Sequence, residues 1–445
     1  MSISRRKFLI GAGAGAIAAP GIANLAVGRD GVEVDSVREP SLWSSQAPAL
    51  PAQPKYQGNR SVDLAIVGGG YTGLSCAYYA KRLRPDWKVV VLDSHTIGSG
   101  ASSRNSGAVS PRYVGLDEKE MPLRGLNRLQ SFIQQEQIDC DFFPASNLQV
   151  FDSKSDGDKA RHNLQPGDKW IAPEELSERI NSTYYSGGGL ESQGNYKVHP
   201  AKLVQGHARA ALRNAVELYE HSPVLDIKRG KPALLITPGG EITAKNVCIA
   251  TNAYTPRLGF LSSKMYPIHQ YTFATRKLSA VEIQSLGLDR WDIRFEDVTL
   301  PVTFRLMPSG HFFVRMVLGY ASHNSCDWKD IEGARQLAKR VFEQRYPSIA
   351  AIGLTHGWHG VTGHTPLMQP IAGPIADGNI HVSVAYNGLG IMPSHNNGYL
   401  TACNITGESD QDLGFLTGEK GQLPFPSDFY RSLMLKPFMN LMTPV

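Results

Sequence analysis

Residues 61–93, SVDLAIVGGGYTGLSCAYYAKRLRPDWKVVVLD, constrain this chain more than any other stretch. Residues 64–67 are a short continuous apolar run, the pattern of a strand buried on both faces. Gly68, Gly70 and Gly73 follow as G-x-G-x-x-G. Residues 71–84 carry Leu74, Ala77, Tyr78 and Leu83 at helical spacing, and Pro85 ends that helix. Residues 89–92 are a second apolar strand, with Asp93 at its carboxyl end. Gly68 allows a tight turn, Gly70 lets a diphosphate approach the backbone, and Gly73 lets the helix pack closely on the strand. The helix opens at Tyr71 and Thr72, whose end of the helix offers N–H groups and a partial positive charge to phosphates. A carboxylate at Asp93 is placed to accept ribose hydroxyls. A glycine-rich turn in an ordinary βαβ unit would leave Asp93 without a role, so the stretch reads as a dinucleotide site.

The next segment, residues 94–115, reads SHTIGSGASSRNSGAVSPRYVG. A plain NAD domain runs directly into its next helix, whereas this is a small-residue loop. It resembles the flavin-contacting loop of the D-amino-acid oxidase and glycine oxidase superfamily of FAD enzymes. Within that superfamily IGSGASSRNSG is most similar to the gamma-glutamylputrescine oxidoreductase branch, whose usual form is GASGRNGG; Ser103 and Ser106 depart from it. The resemblance implies FAD contacts at Ser94, Gly100, Ala101, Ser102, Arg104, Asn105, Ser106 and Gly107. It continues in residues 252–256, NAYTP, implicating Ala250 and Asn252, and at Val224, whose family counterpart meets adenine through its backbone. A second glycine turn, Gly388-Leu389-Gly390, leads into a helix from Ile391, matching a family turn aimed at the flavin. A helix N-terminus there would stabilise negative charge on reduced flavin. Branches that attach flavin covalently use a Cys near residues 356–364 or a His near the SSRNSG loop. Neither is present, so noncovalent FAD is expected.

The implied fold is α/β: a glutathione-reductase-type FAD-binding Rossmann domain with an α+β substrate domain built on an antiparallel sheet. The expected parts are an export signal (1–27), a linker (28–60), FAD-binding segments (61–120, 195–264, 365–415), substrate segments (121–194, 265–364) and a cap (416–445). Helices are expected over 118–139, 201–214, 332–345 and 391–405. Short strands are expected over 242–244 and 247–250, a longer one over 268–275, and a hairpin over 302–307 and 312–317.

Amine oxidation by a flavin asks for placement and electrostatics, since a hydride passes from the carbon bearing nitrogen to flavin N5. The resulting imine hydrolyses in water. The amine reacts neutral, which directs attention to His269 and Tyr271, on the strand that crosses the flavin in this superfamily, and to Tyr254 and His359. A substrate carboxylate calls for arginine. Arg305 and Arg315 sit on opposite arms of the hairpin, and the resembled branch usually has a Gly-Gly pair near Arg315, from which this chain departs. His356, His359 and His364 are spaced as H-x-x-H-x₄-H in a Gly-rich segment with no nearby acid or Cys, so no metal is expected.

Ser4-Arg5-Arg6-Lys7-Phe8-Leu9 is a twin-arginine signature, followed by a weakly apolar run to residue 26. It reads as a Tat export signal, with the Tat translocase as partner and the periplasm as address, cleaved after Ala23 or kept as an anchor. Arg5, Arg6 and Lys7 account for three of the net +5 charges, so the basic balance argues against nucleic acid. Five scattered cysteines without C-x-x-C argue against disulfides or zinc. The expectation is an exported FAD enzyme oxidising a C–N bond of an amine or amino acid, passing electrons to O₂ as an oxidase or to quinone or another carrier as a dehydrogenase. A flavin-binding protein serving assembly or partner binding is the alternative from another class.

Overall fold

A computed structural model describes residues 40–296, 302–320, 328–349, 351–375, 378–426, 430–431 and 433–435. The export signal therefore lies outside the described residues, as does part of the expected cap. Two sheets organise what is described. The first runs Ile371–Ile375, Ile380–Val384, Gly240–Ile249, Arg60–Val67, Val89–Leu92, Glu217–Tyr219, with Asp226–Lys228 and Ala233–Thr237 attached beside Gly240–Ile249. Its centre is parallel: Gly240–Ile249 pairs in parallel with Arg60–Val67 and Ile380–Val384, and Val89–Leu92 with Arg60–Val67 and Glu217–Tyr219. Valine- and isoleucine-rich runs suit this position, because a parallel strand is covered on both faces. The two short strands expected over 242–250 are one strand. Lys245 and Asn246 interrupt the apolar run, yet the ladder continues, because Lys245 pairs with Asp63 at 2.8 Å and Asn246 bonds the Asp63 carbonyl.

Helices Tyr71–Leu83 and Ile391–Thr406 cross on one face of this sheet. They come close because Gly398 has no side chain: a Cβ there would lie 2.6 Å from Ser75 Cβ and 2.7 Å from the Thr72 carbonyl oxygen. Helix Glu120–Gln135 packs on the same pair, with Leu126 and Leu129 in the shared apolar cluster and Arg128 bonded to Asn396. It thus sits with the first sheet, although residues 121–135 were assigned to the substrate part. Its apolar stripe showed that it packs, not on what.

The second sheet runs His356–His364, Tyr266–Lys277, His311–Tyr320, Thr303–Leu306, Ile293–Glu296, Phe143–Val150, Gly189–Lys197, Ala108–Val109, with Asp168–Ile171 against Gly189–Lys197. All pairings are antiparallel except Ile293–Glu296 with Phe143–Val150. Gly189–Lys197 and His356–His364 were not anticipated as strands. Their glycines and polar residues give no strand signal, and pairing with apolar neighbours holds them extended. Helix Trp328–Arg345 packs on one face of this sheet, placing Leu337, Ala338 and Val341 against Phe273, Phe304 and Phe312.

One ion pair lies inside this core. Arg345 binds Glu296 through Nε at 2.9 Å and Nη2 at 3.2 Å, and Tyr185 donates to the same carboxylate. Both charged side chains are 3% exposed. Removing one partner of such a pair strands the other charge away from water. Glu296→Gln is therefore expected to cost about 3–5 kcal/mol of unfolding free energy, read by urea denaturation.

Candidate cofactor and substrate site

The first glycine turn builds a mouth at the carboxyl edge of the first sheet. Gly68 holds φ +109°, and a Cβ on Gly73 would run into the Gly68 carbonyl. Helix Tyr71–Leu83 begins at Gly70 with no side-chain cap and no acid in its first turn. Tyr71 Oη donates to the Pro200 carbonyl at 2.8 Å, and Thr72 Oγ1 bonds Tyr386 Oη at 2.7 Å. Both side chains are drawn inward, so the helix end presents backbone. Ser102, from the loop, accepts from the Tyr71 amide at 3.1 Å. Asp93 accepts from the Gly69 amide at 2.8 Å and the His95 amide at 2.9 Å. Burial pushes its pKa up, against the pull of those amides. Two bonds leave lone pairs on the carboxylate for further donors. Ser94 is exposed beside it, and the Ser222 amide, donating to the Asp93 carbonyl at 2.7 Å, brings the segment leading to Val224 alongside.

A second uncapped helix end lies nearby. Ile391–Thr406 starts at Gly390, again without a side-chain cap or an acid in its first turn. The preceding turn holds Ala385 at φ +62°, Asn387 at +54° and Gly388 at +88°, while Asn252 stands at +45°. Left-handed non-glycine residues cost of order 1–3 kcal/mol each and persist only where the surroundings over-determine them. Here Asn252 Oδ1 accepts from the Ala385 amide at 3.1 Å and the Gly363 amide at 3.3 Å, and Asn387 Oδ1 from the Thr365 amide at 2.9 Å. Leu389 and Ile391 follow at the helix start, and the Ala250 amide bonds Val67 beside the first turn. The Ser103 hydroxyl, in the loop that follows the second strand, is buried without a hydrogen-bond partner. Two glycine-led helix ends without acids, an acid after the second strand and a buried unpartnered hydroxyl fit a dinucleotide whose far end is an isoalloxazine.

The loop leans on the second sheet. Arg104 donates from Nε to the Ser99 carbonyl at 2.7 Å and from Nη1 to the His359 carbonyl at 3.1 Å. A Cβ on Gly360 would sit 3.4 Å from Arg104 Cβ, which identifies the sheet face turned to the loop. Register then sorts the candidates. Tyr271 lies opposite His359 on the other face, and His269 shares that face two residues away. These three rings stack on one another, with His269 and His359 at 5.5 Å and 4°, and Tyr271 joins the apolar cluster of Phe273 and Phe304. His269, Tyr271 and His359 are therefore turned away from the loop, contrary to the sequence-based expectation. Tyr254 is half-buried, with the Arg257 guanidinium 5.8 Å from its ring centre.

The loop-facing side carries a different set. Arg315 donates to Gln270 Oε1, and to Thr303 Oγ1 at 2.9 Å. Gln270 Nε2 donates to Thr362 Oγ1 at 2.8 Å, and that hydroxyl meets His364 Nε2 at 2.9 Å. A Cβ on Gly388 would lie 3.9 Å from both Gln270 Nε2 and His364 Cε1, so the chain of bonds ends at the second helix mouth. Gln270, and with it the partners Thr303 and Thr362 on nearby strands, was missed because Tyr266–Lys277 is buried on both faces over ten residues. Without polar–apolar alternation, the sequence holds no sign of which parity faces the ligand. Arg305 is committed elsewhere, bonding the Ser106 and Val198 carbonyls. Among the described residues no three His, Cys, Asp or Glu side chains are arranged to hold a metal.

Comparison with known proteins agrees with this architecture. The family model described as FAD dependent oxidoreductase matches residues 63–403. The chain is 30% identical over 396 residues to a probable oxidoreductase OrdL of Rhizobium meliloti (strain 1021), covering 83% of this chain and 89% of that one. It is 27% identical over 389 residues to the gamma-glutamylputrescine oxidoreductase of Escherichia coli (strain K12), covering 82% and 88%. Among solved structures, glycine oxidase from Geobacillus kaustophilus superposes with a TM-score of 0.68 at 20% identity, covering 81% of this chain and 99% of that chain.

Burial holds His269 down at about 4; His359 is held at about 3 by burial and by the charges of His269 and Arg104. Unfolding releases both to about 6.5, so the unfolded state binds more protons below that pH. Stability is then full above 6.5 and falls as pH drops toward 4. A His269→Phe, His359→Phe double variant is expected to lose less unfolding free energy than the parent across that window. Stepped-pH urea titrations measure this, and identical slopes would mean the two imidazoles are solvated.

Proposed function

The chain belongs to the FAD dependent oxidoreductase family, and from that premise we propose that it is an exported enzyme oxidising a C–N bond of an amine or amino acid. FAD, held noncovalently, supplies the acceptor for the hydride leaving the carbon next to nitrogen. Gly68, Gly70 and Gly73 would admit its diphosphate, Asp93 its ribose, and the Gly388–Gly390 turn the pyrimidine side of its ring. The remaining work falls to this chain's side chains.

The observation that carries the substrate reading is Arg315. Its guanidinium is buried on the loop-facing side of the second sheet, held by two neutral side chains, Gln270 and Thr303. No carboxylate pairs with it among the described residues, and its Nε has no partner. Burial lowers its pKa to about 10, so it stays charged at neutral pH. A buried cation without a counter-charge is costly unless a ligand brings one. A carboxylate matches the planar fork of its donors. Gln270 and Thr303 orient that fork, and Thr362 fixes the Gln270 amide. Burial and the nearby Arg315 charge hold His364 at about 4, so it stays neutral there. The names of similar proteins, which cover an amine and an amino acid, support the C–N assignment.

The twin-arginine start supports Tat export to the periplasm, with O₂ or a quinone taking the electrons afterwards. Anaerobic mixing of the FAD-loaded protein with a panel of amines and amino acids tests the chemistry: at least one is expected to bleach the flavin, and a panel that bleaches none would sink the C–N assignment. Arg315→Met is expected to raise KM for carboxylate-bearing substrates by roughly 10- to 100-fold and to leave simple amines unchanged. An equal change for both classes would remove Arg315 as the carboxylate receptor.

A further inference from the structure

The loop of residues 103–106 has all its carbonyl oxygens captured from outside. Ser41 Oγ donates to the Ser103 carbonyl at 2.6 Å and Trp358 Nε1 to the Arg104 carbonyl at 3.1 Å. Trp43 Nε1 donates to the Asn105 carbonyl at 3.0 Å and Arg305 Nη1 to the Ser106 carbonyl at 2.7 Å. Irregular backbone ordinarily turns its polar groups to water. Here every one of these donors is buried: Ser41 and Trp43 at 0% exposure, Arg305 at 1% and Trp358 at 3%.

Two of the donors come from a short helix, Leu42–Gln46, ahead of the first strand, capped by Ser41 through the Ser44 amide. Residues 28–60 were expected to be a linker. Instead Trp43 is wedged between Phe313 and Trp358 of the second sheet and Ala201 of the helix Pro200–Arg213. Its ring meets His199 edge-on at 4.8 Å, and the Arg305 guanidinium lies 5.2 Å from its centre. The same loop touches the helix mouth through Ser102 at the Tyr71 amide.

We infer that Ser41 and Trp43 are positioning residues for FAD: the segment before the first strand is part of the cofactor site and fixes the loop that meets the flavin. Their bonds to two carbonyls pin the loop's backbone. The Ser102 hydroxyl, which meets the Tyr71 amide, and the Asn105 side chain, which bonds the Ala101 and Ser102 carbonyls, are thereby held in place. With the bonds removed, the loop has to be ordered by the cofactor itself, and the affinity falls by that ordering cost. This holds whichever amine is oxidised, because it concerns binding of FAD alone.

The test uses the full chain, stripped of FAD and titrated with it, following flavin fluorescence. Trp43→Phe keeps the ring and removes only the N–H; Ser41→Ala removes the hydroxyl and Ser41→Thr retains it. Trp43→Phe and Ser41→Ala are each expected to raise the FAD dissociation constant about 5- to 10-fold, the size of one net hydrogen bond. The visible circular dichroism of the bound flavin is expected to change at saturating FAD, because the loop's placement has changed. Ser41→Thr is expected to behave as the parent. Unchanged dissociation constants overturn the inference. So does weaker binding with an unaltered visible spectrum at saturation, or equal damage from Ser41→Thr, since either would make the segment packing only.

Discussion

Two helix N-termini converging on one place is the constraint that everything else serves. Tyr71–Leu83 and Ile391–Thr406 each begin at a bare glycine, with no acid of their own to satisfy the dipole. Each leaves a partial positive charge near the mouth, and the two repel unless an anion lies between or beside them. The helices themselves cross at Gly398, where a side chain would strike Ser75 and the Thr72 backbone. Behind the crossing, His207 and His395 bond at 2.9 Å in a fully buried pair that ties helix Pro200–Arg213 to Ile391–Thr406. Leu203 accepts from His207 Nδ1, so His207 Nε2 accepts from His395 Nδ1–H, a direction that needs the His207 ring neutral. Burial lowers both pKa values and keeps the rings neutral.

The strain around the second mouth follows from the same demand. Ala385 and Asn387 adopt backbone angles that side chains resist, and amide bonds from Asn252 and Asn387 hold them there. Asn252 bonds one amide from each sheet, at Ala385 and at Gly363. A single side chain thus joins the dinucleotide half to the strand that carries Thr362 and His364. A loss at Asn252 would be felt at the cofactor mouth and at the substrate side together.

Charge is handled differently on the two faces of the second sheet. On the helix side, Arg345 and Glu296 neutralise each other, and Arg294 sits among the rings of Tyr185, Trp291, Phe304 and Tyr346. On the loop side, Arg315 has only neutral partners among the described residues. Arg294 is buried as fully, with Nε and Nη2 unpartnered, but its guanidinium is packed among aromatic rings, whereas Arg315 lies on the face turned to the loop.

The nucleotide half was legible from local residues alone. Its spacing, glycine positions and apolar strands depend on contacts within about thirty residues, and the helix and both strands lie where the pattern put them. The second glycine turn was legible for the same reason, since a helix start needs only its own glycines. Tertiary structure alone decided the substrate side. A strand buried on both faces has no alternation, so sequence named the right strand and the wrong parity, choosing His269 and Tyr271 over Gln270 and Thr272. The placement of Trp43 was equally invisible: its partner, the Asn105 carbonyl, is 62 residues away and is a backbone atom that every residue carries. Contacts that depend on which backbone lies opposite leave no mark on residue identity, and only the folded chain reveals them.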